Sequence, residues 1–163
     1  MKKEYKVFLI ILSLFLFVGC SNNIESKEKE EDVEELVNCE LENNSQDNFS
    51  VKSNYKIYSE NGFVEKVITV ETVESDDESI LSTIEKQVDE TYNTASKKYG
   101  GYIYDIEIKN NKLISNVEIN YKEMDLNEYI KDNPVMKSFT KNDKITLTGI
   151  ISIYESLGAK CDQ

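Results

Sequence analysis

The chain has 163 residues and a formal net charge of −12, from nineteen Lys against thirty-one Asp plus Glu, with neither His nor Arg. Such a polyanion gains nothing by releasing phosphate counterions, which argues against nucleic acid as a partner. Without His there is no imidazole base, no Ser-His-Asp or Cys-His catalysis and no two-His zinc motif; without Arg there is no bidentate clamp for phosphate or carboxylate.

Lys2, Lys3 and Lys6 precede an apolar run from Val7 to Val18 that is interrupted only by Ser13. The run is shorter than the roughly 20 residues a membrane span needs and suits the core of a signal peptide. It ends at Gly19-Cys20, a small residue followed by Cys that resembles a bacterial lipobox. The resemblance implies a signal peptide over 1–19, cleavage before Cys20, and a diacylglyceryl lipid on the Cys20 thiol. Two acyl chains, at about 0.8 kcal/mol for each buried methylene, hold a protein stably on a bilayer. An uncleaved N-terminal helix and a soluble secreted product are the alternatives. The expected location is therefore the extracytoplasmic face of the cell membrane. The Lys-, Asn- and Ile-rich, Arg-free composition suggests an AT-rich genome and a Gram-positive host. Residues 20–36 are charged and poor in apolar side chains, and are expected to form a lipidated, disordered acidic tether.

Residues 37–163 carry the patterns of one folded domain. "NCELEN" and "FSVKSNYKIYS" read as strands, and "ENG" turns the second into "FVEKVITVETVE", a β-branched strand. The period then changes: Ile80, Leu81, Ile84, Val88, Tyr92, Ala95 and Tyr99 make one helical stripe. Ser75, Asp76 or Asp77 can cap its start, and Lys97, Lys98 and two glycines close it. "YIYDIEI", "KNNK" and "LISNVEINY" form a second hairpin, and "DLNEYIKDN" a short helix halted before Pro134. A last helix carries Leu147, Ile150, Ile151, Tyr154 and Leu157 and ends at Gly158. The expected fold is α+β: an antiparallel sheet built from two β-hairpins, with two main helices packed on one face, in the order β-hairpin, helix, β-hairpin, helix.

The block "ASKKYGGYIYDIEIKNNKLISNVEINYKEMDLNEY" resembles the central part of the YehR-like family of small bacterial lipoproteins. There a helix ending in K-Y-x-G leads into two strands and then an acidic-Leu helix. The resemblance implies a fold and an envelope location, and it brings no catalytic residues.

Several residues are candidates for chemistry. With Cys20 lipidated, Cys39 and Cys161 are the remaining thiols, and outside the membrane such a pair is expected to form a structural disulfide; two independent thiols are the alternative. "ESDDES" clusters carboxylates but lacks calcium-loop spacing, so helix capping is its expected role and no metal or cofactor is expected. Tyr55, Tyr58, Tyr102, Tyr104 and Tyr121 fall on predicted strands, either as core residues or as the lining of a cleft for a peptide or glycan. Nothing in the spacing of the carboxylates singles out a catalytic pair. The expected function is a non-catalytic binding or interaction module of the cell envelope, engaging an envelope protein, peptide or glycan. The alternative is a structural or stress-related envelope lipoprotein without a small-molecule ligand, and carboxylate-based hydrolysis is the residual enzymatic option.

Overall fold

The structure is a computed structural model, and it describes residues 34–46 and 48–162. The signal peptide, Cys20 and the expected tether up to residue 33 lie outside the described residues.

Three long strands open the fold: β1 (Glu34–Gln46), β2 (Phe49–Glu60) and β3 (Phe63–Glu74). Helix α1 (Glu78–Tyr99) follows, then β4 (Tyr102–Lys109) and β5 (Lys112–Asn120). A short helix α2 (Leu126–Asp132) runs into a 3-10 turn at Pro134–Phe139. The chain then makes a small ribbon, β6 (Thr140–Lys141) with β7 (Lys144–Ile145), before helix α3 (Leu147–Ser156) and β8 (Lys160–Cys161). The α+β class with an antiparallel sheet holds. The sheet has six strands in the order β4-β5-β3-β2-β1-β8, more than the expected two hairpins supply. β1 begins at Glu34, so the sheet reaches back into the segment expected to be tether.

Local chemistry explains the turns. Asn61-Gly62, Asn110-Asn111 and Asn142-Asp143 all have positive φ at both positions, the type I′ geometry whose twist matches a right-handed hairpin. Only the first two were expected. The third lies just ahead of the last expected helix, where a two-residue strand is too short to leave a period-2 signature.

The inner face follows strict alternation on β2, where Val51, Ser53, Tyr55, Ile57 and Ser59 are buried. On β3 a bulge places Ser59 opposite Val64 and Tyr58 opposite Lys66, skipping Glu65. That extra residue lets Val64 and Val67 both point inward although three positions separate them. Helix α1 lays Leu81, Ile84, Val88, Tyr92 and Ala95 on this face. Asp77 caps it, accepting a hydrogen bond from the Ser79 backbone N–H at 2.9 Å. The acidic cluster is otherwise used up locally, with Ser75 donating to the Asn48 carbonyl and Asn111 donating to Asp76. No metal-ligand cluster occurs among the described residues.

Two apolar clusters form the core. One gathers α1 with Val51, Val73 and Leu113; the other gathers α2, α3 and the 3-10 turn with Val37, Ile57 and Val67. The C-terminus is clasped to the far edge of the sheet. β8 pairs with β1 so that Cys39 and Cys161 stand opposite one another, and they are joined by a disulfide. Asp162 adds hydrogen bonds from the Asn38 backbone N–H at 2.6 Å and side-chain amide at 3.0 Å.

Candidate functional site

Where the two apolar clusters meet, the sheet and helices leave a cavity of about 50 Å³. Glu71 is the acid that lines it, and it belongs to a row of polar residues running across the strands. Ser53 on β2 pairs with Glu71 on β3, and Glu71 with Ser115 on β5. All three belong to the buried face: Ser53 is 1%, Glu71 9% and Ser115 0% exposed. Flanking Glu71 with two small side chains leaves it headroom that Val or Ile would fill.

Glu71 has no partner of opposite charge. Among the described residues its carboxyl makes no hydrogen bond or ion pair, and burial alone pushes it up from the ordinary glutamate value to about 7. Ser115 is in a similar state, its Oγ being a buried hydroxyl without a hydrogen-bond partner. An unsatisfied buried polar atom costs roughly 1–3 kcal/mol. The Ser115 hydroxyl carries that cost beside a Glu71 carboxyl that burial desolvates.

The canopy is aromatic. Tyr55, Tyr92, Tyr102, Tyr121, Tyr129 and Tyr154 line the cavity together with Glu71. Tyr55 and Tyr154 stack at 4.1 Å between ring centroids, and Tyr92 lies 6.5 Å from Tyr102. Burial pushes the pKa of all six phenols up, that of Tyr129 to about 12, and the neighbouring Glu71 charge adds to the rise at Tyr55, Tyr92 and Tyr154. The phenols therefore stay neutral across the physiological range, each able to donate and accept one hydrogen bond or more. No Lys lines the cavity.

Of the strand tyrosines singled out in the sequence, Tyr55, Tyr102 and Tyr121 meet at this cavity. Tyr58 does not: its parity on β2 sends it to the opposite face, under Lys66, whose Nζ sits 4.9 Å from its ring centroid. Tyr104 shares a face with Tyr102 but lies further along the edge strand, where its hydroxyl donates to Asp89 of α1 at 3.0 Å. Sequence reasoning missed Tyr92, Tyr129 and Tyr154, which come from helices, and missed Glu71. The signal for Glu71 was present, since Val67, Thr69, Glu71 and Val73 alternate and three of the four suit a core.

A second polar cluster pins α2 beneath α1. Tyr99 donates to Asp132 at 2.6 Å, and Lys98 pairs with the same carboxylate at 2.5 Å. Lys98 and Tyr99 hold Asp132 below the usual aspartate range, while burial first and the Asp132 carboxylate second push Tyr99 up to about 12. Lys98 and Tyr99 belong to the K-Y-x-G segment.

The chain matches no protein-family model and no curated protein. Two solved structures are similar to it. One is the NMR structure of a protein from Streptococcus pneumoniae TIGR4, 13% identical over 90% of this chain and 94% of that one, with a TM-score of 0.47. The other is the NMR structure of the Escherichia coli YehR protein, 14% identical over 81% of this chain and 93% of that one, with a TM-score of 0.49. Both likenesses are distant, and no residue's role passes from either to this chain.

Proposed function

We propose that the chain is a non-catalytic binding module of the cell envelope, a YehR-like lipoprotein held to the membrane by lipid on Cys20, with the Glu71 cavity as its ligand site. The observation that carries the reading is the unpaired carboxyl of Glu71 in an interior of apolar and phenolic side chains without a counter-charge. A buried acid with no counter-charge lowers stability, and an apolar side chain of similar size would remove that penalty. Perturbed titratable groups of this kind concentrate at functional sites.

The cavity's size, about 50 Å³, narrows the partner. It has no room for a whole glycan or peptide segment, so the ligand is a small molecule or one terminal group of a larger one. The non-catalytic part of the reading rests on the lining. Carboxylate-pair hydrolysis needs two acids flanking the scissile bond, whereas Glu71 is the one acid among the lining residues.

The test uses the full chain in detergent. Thermal-shift screening against small metabolites sorted by charge is run on the wild type and on Ala95→Leu, which fills the cavity from α1. Ligand shifts specific to the wild type support the site. Identical profiles for the two proteins favour the structural envelope lipoprotein without a ligand. Separately, palmitate labelling of the expressed chain should disappear in Cys20→Ala, and persistence of the label would refute the anchor.

A further inference from the structure

The cavity's chemistry selects among ligand classes. Resting on the reading of this cavity as a ligand site, we propose that it takes a primary ammonium group, the charged end of a small aliphatic amine.

The electrostatics exclude the alternatives in turn. An anion entering the cavity would meet the Glu71 carboxyl with no Lys among the lining residues to offset it, and like charges in a water-poor site repel strongly. A cation meets a carboxyl with no other partner. The groups facing Glu71 are Tyr55 from β2, Tyr92 from α1 and Tyr154 from α3, all held neutral by burial. None of them competes with a ligand for the role of counter-ion.

Donor counting favours a primary amine over a quaternary one. A primary ammonium has three N–H donors and no acceptor. The cavity lining offers the Glu71 carboxylate and the hydroxyls of Thr69, Thr91 and the tyrosines as acceptors. Ser115, the neighbour of Glu71 on β5, does not itself line the cavity. Val117, Ile119 and Ile150 also line the space and suit a short carbon chain. A volume of about 50 Å³ corresponds to roughly three to five water sites. That room fits an ammonium head with little carbon and excludes a ring.

A proton linkage follows. Without ligand the Glu71 carboxyl is pushed up to about 7, so at slightly acid pH it is protonated. A bound ammonium stabilises the ionised form, so binding releases that proton and tightens as pH rises through neutrality.

Calorimetric titration of the full chain tests this with methylammonium, tetramethylammonium and acetamide, each at mildly acid and mildly alkaline pH. Methylammonium should bind, more tightly at the higher pH, and should release protons at the lower one. Tetramethylammonium, which has no N–H, should not bind. Glu71→Gln keeps the shape and removes the charge, so it should weaken methylammonium by about tenfold or more. Ser115→Ala, which alters the neighbour of Glu71 but keeps the carboxyl and every lining residue, should leave the affinity nearly unchanged, and an equal loss in both variants would mark a folding defect rather than a lost contact. Preference for acetamide, with affinity rising as pH falls, would overturn the amine while leaving the cavity a binding site. Absence of binding by all three to a Kd of about 1 mM would also overturn the amine. The comparison of wild type with Ala95→Leu then decides separately whether the cavity binds anything.

Discussion

Glu71 occupies an inward position on β3, in register with Ser53 and Ser115, and its consequences for stability can be worked out from its acidity alone. Its carboxyl titrates near 4.5 in an open chain and at about 7 in the folded one. Below the lower value both states hold the proton and the group is neutral with respect to folding. Between the two values the unfolded chain binds fewer protons, so stability falls as pH rises, and above about 7 the penalty is complete. At about 1.36 kcal/mol for each pH unit, the penalty is roughly 3 kcal/mol. Asp77, Asp132 and Asp162 act with opposite sign at lower pH. Their hydrogen bonds and ion pairs depress them in the folded state, so the stability they contribute is lost only as the pH drops through and below the ordinary aspartate range. The windows are distinct. Glu71→Gln should flatten the urea midpoint between mildly acid and mildly alkaline pH and leave the loss in strong acid unchanged. A wild-type midpoint already flat across that window would contradict the assignment.

At the scale of elements, the link between α1 and β4 is the most constrained. Gly100 caps α1, and Gly101 has φ +69, a conformation that side-chain-bearing residues seldom adopt. A Cβ on Gly101 would collide with the Asn120 carbonyl oxygen, and this backbone approach is fixed by the hydrogen bond from the Asn120 N–H to the Gly101 carbonyl at 2.7 Å. Gly101→Ala therefore meets both a conformational penalty and a backbone clash, and should cost about 2–3 kcal/mol in chemical denaturation. Gly62→Ala serves as the control. Its φ is +75, but nothing lies within 4 Å of the added methyl, so it should cost less. The K-Y-x-G segment thus has a physical content: Lys98 and Tyr99 grip Asp132, and Gly101 lets β4 start hard against the end of β5.

At the scale of the molecule, the disulfide joins residues 122 positions apart and attaches the last strand to β1. A closure of that length contributes up to about 4–5 kcal/mol in the chain-entropy model. Cys39→Ser with Cys161→Ser should lower the denaturant midpoint accordingly and leave the β1–β3 meander intact. Added reductant should reproduce the loss in the wild type but have no effect on the double variant.

Much of this architecture was legible before any coordinates. The strand β2, helix α1, the second hairpin and α2 announce themselves through alternation, helical stripes, Asn-rich turns and an Asp cap, all of which act over a few residues. The acidic, His-free and Arg-free composition disposed of whole classes of chemistry in the same way, and counting thiols marked Cys39 and Cys161 as partners. The sheet order, the clasp of β8 on β1 and the bulge at Glu65 left no local trace, because each depends on which strands meet across long stretches of chain. The assembly of the site belongs to that second category, although some of its residues could be singled out in the sequence. Five strand tyrosines looked equivalent, yet register and helix packing sent Tyr58 to the outer face and Tyr104 to Asp89. The same packing drew Tyr92, Tyr129 and Tyr154 from three helices over Glu71. Alternation alone points Glu71 inward; only tertiary structure surrounds it with neutral phenols and no counter-charge, because a group's electrostatic environment is set by neighbours in space rather than in sequence.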